Sequence, residues 1–252
     1  RWKKIKFFYR QMTECFSEIF AQSQIDRERI KILTNRNIKF IGNLKLSSGS
    51  NFQKISLDKR LMNFQKGRTF MLASTHENEE FQFLPAIKRL LLQVDGLKII
   101  IAPRHPERSK KIQSIYNKSG ISAKLMSDSA YANGDVLIVN AFGNLPAYFT
   151  ISDIVFLGGS FVNKGGHNPI EPSINNCAII TGPHIYNWKN IYDDMQSNKA
   201  RIVFNEISEL EKKLINLFND TSKMQKLKES SKKLAQKKFF DSKKLIHSIN
   251  YH

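Results

Sequence analysis

Cysteine is scarce in this sequence, and long apolar runs are absent. Cys15 and Cys177 lie far apart, so they form neither a disulfide framework nor a metal-binding knuckle, and a reduced, cytoplasmic setting fits best. No run approaches the roughly 18 apolar residues of a membrane-spanning helix. Near the amino terminus there is no long apolar core with a small-residue cleavage site, so we expect no secretory signal.

Several catalytic and binding motifs are missing as well. There is no P-loop of the form GxxxxGK followed by Ser or Thr, so ATP or GTP hydrolysis is not supported. The six histidines and two cysteines never fall in a Ser-His-Asp or Cys-His order. Zinc-finger spacing, RNA-binding signatures and internal repeats are also absent. We therefore expect neither a bound metal nor a cofactor.

Acidic residues are few relative to basic ones. The chain has 40 Lys and Arg against 22 Asp and Glu, which leaves a net charge of +18. Such an excess points to an anionic partner, which can be nucleic acid, an anionic lipid surface or a phosphorylated substrate. Many lysines stand among Asn and Ile, so part of the excess can be compositional bias. Hydrophobic residues make up 41% of the 252, which is enough for a core.

The first ten residues carry five positive charges and no negative one. Trp2, Ile5, Tyr9 and Met12 fall at helical spacing, which leaves the charges largely on the rest of the helix surface. A basic amphipathic helix of this kind can lie on an anionic membrane surface. Alternatively, the apolar stripe packs against another part of the protein and the charges are solvated.

The most informative stretch is a glycine-rich run between two apolar segments. Residues 151–157 and 178–183 read as buried strands, and residues 158–168 between them contain four glycines and Lys164. Glycines let a backbone approach a ligand closely, and a helix N-terminus offers free N–H groups to an anion. A strand, a glycine-rich loop and a helix start in this order indicate a phosphate site.

A purely structural interpretation of the same stretch is an ordinary capping box. Asn168 and Glu171 have N-x-x-E spacing, and Pro169 would be the first helical residue. However, Pro172 falls inside the first turn and breaks the regular pattern, so Glu171 can be free to face a ligand. The glycines and Lys164 also exceed what a cap requires.

Regular alternation of strands and helices predicts the fold. Residues 19–41 read as a βαβ unit, and the serine-rich residues 47–51 read as a linker, which places a domain boundary near residue 46. The rest predicts a doubly wound, Rossmann-like α/β domain with a parallel sheet. We expect strands at 69–74, 97–102, 121–126, 135–139, 151–157, 178–183 and 201–204, with helices at 77–93, 106–119, 144–150, 188–197 and through the charged carboxyl-terminal remainder.

Two further motifs follow predicted strands, where such folds bind ligands. Arg104 ends one strand and is well placed to hold a phosphate bidentately; the alternative is a solvated charge paired with Glu107. Ser74 and Glu77, after another strand, fit a capping box. The acidic residues of that first turn, Glu79 and Glu80, suit the helix dipole rather than catalysis.

These motifs together resemble the 3-deoxy-D-manno-octulosonic acid (Kdo) transferases of lipopolysaccharide assembly. The resemblance covers nearly the whole chain and rests on spaced motifs in the right order. They are Gly-Gly-His-Asn-Pro-Ile-Glu-Pro at 165–172, Gly-Gly-Ser-Phe-Val at 158–162, and the segments 73–80, 102–108 and 182–184, with 21–23 and 42–45 upstream.

This resemblance implies a two-domain glycosyltransferase of the GT-B architecture. Its donor would be CMP-Kdo, its acceptor a lipid A precursor, and its location the cytoplasmic face of the bacterial inner membrane. Residues 1–45 would be a remnant of the amino-terminal acceptor domain, and residues 46–252 the donor-binding domain. The catalytic base of the family lies on the amino-terminal domain. The chain begins at Arg1 rather than Met, so we expect that base to be missing and the isolated chain to be inactive.

The resemblance also implies a set of site residues and two departures from the family pattern. Asn78 stands where Gly is usual, and Asn144 where Glu is usual. Two alternatives remain open: a GT-B enzyme with another nucleotide-sugar donor, and a non-catalytic basic protein that binds membrane or nucleic acid. The implied donor-binding residues are Pro103, Arg104, Gly143, Asn144, Leu145, Asn168, Pro169, Ile170 and Glu171, with possible cleft contacts from Ser74, His76, Glu77, Ser160, Lys164, Gly165, Gly166 and His167.

Overall fold

A computed structural model describes residues 6–22, 24–40, 61, 68–128, 133–143 and 145–249, with side chains as far as residue 238. The chain divides into two compact units, Arg1–Gln53 with Gln236–His252, and Lys54–Ala235. The predicted boundary at residue 46 and the predicted linker at 47–51 lie outside the described residues, and so do Trp2 and Ile5 of the amino-terminal stripe.

The first unit contains the predicted βαβ element. Its strands pair in parallel, Phe20 with Lys39 and Ala21 with Phe40, and the Arg27 guanidinium donates to the carbonyl of Ile38 at 3.1 Å. The described elements are α1 (Lys6–Glu14), β1 (Phe20–Ala21), α2 (Gln24–Thr34) and β2 (Lys39–Phe40).

The second unit is built on one parallel sheet, as the alternation predicts. Its strands are β3 (Arg68–Thr75), β4 (Leu97–Pro103), β5 (Ala123–Leu125), β6 (Val136–Ile138), β7 (Ile154–Leu157), β8 (Ala178–Thr181) and β9 (Ile202–Val203). They lie in the order β5-β6-β4-β3-β7-β8-β9, and every neighbouring pair is parallel. The central strands are almost wholly buried, which explains why they read as continuous apolar runs rather than as alternating ones.

Helices connect these strands and supply the rest of the core. Next to the glycine-rich run, Phe83 packs against Phe156 with ring centroids 4.6 Å apart and meets the edge of Phe161 at 5.7 Å. The helices are α3 (Glu79–Gln93), α4 (Ser109–Lys118), α5 (Leu145–Thr150), α6 (Ile170–Ile174), α7 (Lys189–Ser197), α8 (Ile207–Asn219) and α9 (Thr221–Ile249), with 3-10 turns at Pro106–Arg108 and Tyr186–Trp188. The residues of α9 from Gln236 onward belong to the first unit. Among the described residues, none of these helices combines the length and apolar character needed to cross a membrane.

The topology places the sequence motifs at one edge of the sheet. From β3 the chain moves outward through β4, and it later returns to pair β7 with the other side of β3. Strand order therefore reverses between β3 and β7, and a crevice opens beyond their carboxyl ends, where doubly wound folds bind ligands. The residues that follow β3, β4 and β7 all lie at this edge.

The helices beside this edge are shorter than predicted. The predicted helix at 106–119 divides at Ser109 into a 3-10 turn and α4. After the glycine-rich run, α6 spans Ile170–Ile174, and Pro169 before it already has helical dihedral angles (φ −83°, ψ −12°), as predicted for the first helical residue. The helix stops at Ile174, because Asn176 takes a left-handed conformation (φ 64°) before the chain enters β8.

Candidate functional site

The carboxyl ends of β3 and β7 meet at a point with no room for a side chain. Ser74 adopts a left-handed conformation (φ 56°) beside an irregularity in the β3–β4 register. Gly158, directly after β7, donates its N–H to the carbonyl of Ala73 at 2.8 Å. A Cβ atom at Gly158 would lie 2.2 Å from the Ser74 carbonyl oxygen. Glycine is therefore required here by the close approach of two backbones.

The carboxylate of Glu79 holds the glycine-rich run against the turn after β3. Its Oε2 accepts the N–H groups of His76 and Gly159, both at 2.9 Å. Its Oε1 accepts those of Phe161 at 3.2 Å and Val162 at 3.4 Å. Burial raises the pKa of Glu79, and the four backbone donors offset part of that rise because they favour the charged form. One side chain thus fixes two segments that are 80 or more residues apart in sequence.

Side chains from the segment after β8 hold the far end of the glycine-rich run. The Tyr192 hydroxyl donates to the carbonyl of His167 at 2.6 Å, and the Asn187 amide donates to the carbonyl of Lys164 at 2.8 Å. Gly165 has a left-handed φ of 88°, and a Cβ there would lie 2.6 Å from Asn187. The loop is therefore fixed at both ends before any ligand arrives.

This arrangement brings two predicted residues, His76 and His167, into direct contact. Their Nε2 atoms are 3.0 Å apart, their ring centroids are 5.2 Å apart, and their planes differ by 12°. The centroid separation is close to the nitrogen–nitrogen distance plus one ring radius on each side. The rings therefore meet end to end in nearly one plane, and one Nε2 donates a hydrogen bond that the other accepts.

The electrostatic surroundings keep this histidine pair neutral. Burial lowers the pKa of His167 to about 4, with further contributions from His76 and Arg104. Burial also lowers the pKa of His76, followed by the nearby charges of Lys164, His105, Arg104 and Arg108. The pair is uncharged near neutral pH chiefly because it is buried, and the positive charges around it add to this effect.

Arg104 lies at this edge with its side chain exposed. Its backbone N–H is bonded to the carbonyl of Thr75 at 2.9 Å, while the described residues offer its guanidinium no ion pair or hydrogen bond. The alternative pairing with Glu107 is wrong, because Glu107 lies 3.5 Å from Nδ1 of His105 instead. Arg108 is structural, and its guanidinium donates to Glu80 at 2.6 Å.

The carboxylate of Glu171 does not close a capping box. Asn168 accepts the N–H of Ile170 at 3.0 Å through its side-chain oxygen and so caps the helix start, but Glu171 makes no return bond to the Asn168 backbone. Glu171 is half-buried, its carboxylate contacts no polar partner among the described residues, and burial raises its pKa. The capping-box alternative is therefore wrong, and the carboxylate is available for a ligand.

The predicted capping box of Ser74 and Glu77 is also wrong. Asn78, in a left-handed conformation (φ 73°), occupies the N-cap of α3 without a side-chain bond. The carboxylate that returns to the backbone belongs to Glu79, two residues later, and Glu77 is exposed. Asn78 tolerates this conformation better than most residues, so it can replace a glycine here.

The remaining predicted residues occupy varied positions. Ser160 is fully buried. Its hydroxyl donates to the Leu157 carbonyl and accepts the N–H of Gly182 at 3.0 Å, so its hydrogen bonds are made within the protein rather than to a ligand. Asn144 lies outside the described residues. Pro103, Gly166, Pro169 and Ile170 are buried, Ser74 and Leu145 are half-buried, and Gly143 and Lys164 are exposed.

The described residues offer no evident place for a metal ion. No group of three or more His, Cys, Asp or Glu side chains among them is arranged to hold one. His76 and His167 direct their nitrogens at each other across 3.0 Å. Metal–nitrogen bonds of about 2.0–2.1 Å leave no room for an ion on the line between them.

Sequence reasoning missed Glu79, Tyr192 and Asn187 as supports of the site. An acidic residue in the first turn of a helix has an ordinary explanation in the helix dipole, so nothing distinguished Glu79. Tyr192 and Asn187 stand in or beside a short helix with no motif. Their contacts join distant segments, and no local pattern reports such contacts.

Because His167 is neutral in the folded protein, we expect acid to lower the stability of the protein. Its pKa is about 4 in the folded protein and about 6.5 when exposed, so between these values the unfolded state binds more protons. Stability should therefore fall as pH falls through this window. His167→Gln should flatten the dependence by about 2 kcal/mol, as measured by urea unfolding at a series of pH values. Identical pH dependence in both proteins would contradict the assignment.

The fold and the glycine-rich crevice define a class. A crystal structure of the C-terminal CMP-Kdo binding domain of WaaA from Acinetobacter baumannii superposes with a TM-score of 0.65 at 24% identity, over 76% of this chain and 97% of that one. A glycosyltransferase from Rickettsia africae gives 0.63 at 15% identity, over 98% of this chain and 65% of that one. The predicted GT-B-type glycosyltransferase fold is confirmed.

Sequence comparison shows which proteins of that class the chain is similar to. A family model described as 3-Deoxy-D-manno-octulosonic-acid transferase (kdotransferase) matches residues 1–48. The 3-deoxy-D-manno-octulosonic acid transferase of Rickettsia bellii is 34% identical over 94% of this chain and 57% of its own length. That of Rickettsia prowazekii is 32% identical over 95% of this chain and 54% of its own. The chain is a homologue of the Kdo transferases and spans about half the length of these curated relatives.

Proposed function

We propose that this chain is the donor-binding part of a Kdo transferase and that it binds the nucleotide of CMP-Kdo at the crevice beyond β3, β4 and β7. The observation that carries the proposal is the convergence of Arg104, the histidine pair and the fixed glycine-rich run at the reversal of strand order. The Kdo transferase of Rickettsia bellii is 34% identical over 94% of this chain, and the WaaA domain with this fold is named for CMP-Kdo binding.

Each available group has a chemical task in this proposal. The unpaired guanidinium of Arg104 holds the phosphate, because a planar fork matches two phosphate oxygens. The segment from Asn168 to Ile170 contacts the phosphate and cytidine. Glu171 accepts hydrogen bonds from ribose hydroxyls, for which its unoccupied carboxylate is suited. These groups stabilise the departing nucleotide electrostatically.

The acceptor and location belong to the proposal as well. The acceptor is a lipid A precursor, and the protein works at the cytoplasmic face of the bacterial inner membrane. No described residue is assigned as the base that deprotonates the acceptor. We therefore expect the 252-residue chain to bind CMP without transferring Kdo, and turnover of CMP-Kdo onto a lipid acceptor would contradict this expectation.

Titration calorimetry with CMP, UDP and a short DNA duplex at physiological salt tests the proposal. We expect saturable binding of CMP and weak binding of UDP. Tighter UDP binding would indicate a different nucleotide-sugar donor. Preferential, strongly salt-dependent DNA binding without a saturable CMP site would indicate a basic nucleic-acid-binding protein instead.

Arg104→Lys tests the position of the phosphate. The substitution keeps the charge but removes the planar fork, so CMP should bind about tenfold more weakly. Cytidine, which has no phosphate, should bind with nearly unchanged affinity. Both affinities are measured by calorimetry. If CMP and cytidine weaken equally, the phosphate does not lie at Arg104.

A further inference from the structure

We propose that the His76–His167 pair is a proton-linked phosphate-binding element, which takes up one proton when a phosphate monoester dianion binds beside Arg104. This inference rests on the proposed nucleotide site and adds a chemical coupling to it. Neither histidine needs to leave its observed position.

The hydrogen-bond geometry defines what the pair can present to a ligand. Because the two Nε2 atoms face each other, one imidazole carries its proton on Nε2 and the other carries its proton on Nδ1. The neutral pair therefore has one outward Nδ1–H donor and one outward Nδ1 lone pair. Neither Nδ1 has a hydrogen-bond partner among the described residues, so both are available.

One added proton converts the outward Nδ1 lone pair of the neutral pair into a second Nδ1–H donor. The proton binds the free Nδ1, so the donor ring becomes an imidazolium and both Nδ1 atoms carry hydrogen. The Nε2–H···Nε2 bond remains intact. A second proton would place two Nε2–H groups against each other, so the intact pair takes up only one. The two Nδ1–H groups point away from each other in this end-to-end arrangement, so a phosphate accepts from one of them and is also attracted by the positive charge of the pair.

Burial and the surrounding charges together explain why the pair takes up a proton only when the ligand binds. Arg104, His105 and Arg108 follow β4, and Lys164 belongs to the glycine-rich run; all four disfavour a charge on His76. On the other side, the Glu79 carboxylate is committed to the backbone N–H groups of His76 and the loop. A bound dianion compensates these cations and raises the pKa of the pair.

The coupling distinguishes two kinds of phosphate. A nucleotide-sugar contains a phosphodiester with one negative charge, whereas a nucleoside monophosphate carries close to two negative charges above its second pKa of about 6. The charged pair complements the second state better.

Calorimetric titration of CMP into the 252-residue chain, at about pH 6.5 and at a series of higher pH values in buffers with different ionisation enthalpies, counts the protons directly. We expect wild-type protein to take up about one proton per CMP near pH 6.5, with less uptake and weaker binding as pH rises. His167→Gln and His76→Gln should each abolish most of this uptake and weaken CMP about tenfold.

His105→Gln is the matched control, because His105 lies at the same edge but is exposed and faces Glu107. It should retain the uptake. Wild-type binding of CMP without proton uptake would overturn this inference alone and leave the nucleotide site in place; that result requires no variant to fold. Uptake that persists in both pair variants would also overturn it. Absence of CMP binding at every pH would remove the proposed function and this inference together.

Discussion

Alanine in place of Gly158 should destabilise the protein by about 3 kcal/mol or more and abolish CMP binding. The added methyl carbon would lie 2.2 Å from the Ser74 carbonyl oxygen and 2.7 Å from Cα of Thr75. Both are backbone atoms, so no flexible side chain can move aside. Relief requires β3 and β7 to separate at their carboxyl ends, where His76 and the glycine-rich run are held. Urea unfolding and CMP calorimetry measure the two effects.

Gly120→Ala is the control for this substitution. Gly120 has a left-handed φ of 81° and no atom within 4 Å of an added Cβ. Its replacement should cost about 1 kcal/mol through backbone strain and leave CMP affinity unchanged. Equal losses of stability in the two variants would show that close approach at Gly158 is not the decisive factor.

Replacing Glu79 with Gln should lower the free energy of unfolding by about 2–4 kcal/mol. Each carboxylate oxygen accepts two backbone N–H groups. An amide nitrogen at either position would place donors against donors and leave two buried N–H groups unsatisfied. The loop that carries His167 would lose its support, so CMP affinity should fall at least about tenfold.

Glu77→Gln provides the stability control for Glu79→Gln, because it removes an exposed carboxylate from the same turn. Its free energy of unfolding should stay within about 0.5 kcal/mol of wild type. A Glu79→Gln protein with wild-type stability would mean that Glu79 does not anchor the loop. Both values are measured by urea unfolding at the same pH.

The sequence predicts the sheet well because its strands are buried on both faces. Continuous apolar runs such as the one at β7 have few other interpretations when glycine follows them. The position of Arg104 can be predicted equally well, because a residue that directly follows a parallel strand lies at the ligand-binding edge of the sheet. Element order and the predicted edge therefore follow from local patterns.

The supports of the site could not be predicted in the same way. Ser74 and Glu77 have capping-box spacing, but Glu79 binds the backbone instead, because N–H groups of the glycine-rich run complete its coordination. Those donors come from residues some 80 positions away. The contact between His76 and His167 spans 91 positions. Such pairings arise from topology, and spacing in one segment contains no information about them.

The junction of Gly158 with Ser74 makes residues 76–157 a closed excursion that leaves the crevice and returns to it. Its far turns, such as the one at Gly96 between α3 and β4, can change length at a cost that grows only logarithmically with the number of residues. Related chains can therefore differ in the length of these far turns while the crevice, with Glu79 and Arg104, keeps its geometry. By contrast, a single methyl group at Gly158 forces β3 and β7 apart and so displaces the residues that are proposed to bind the ligand.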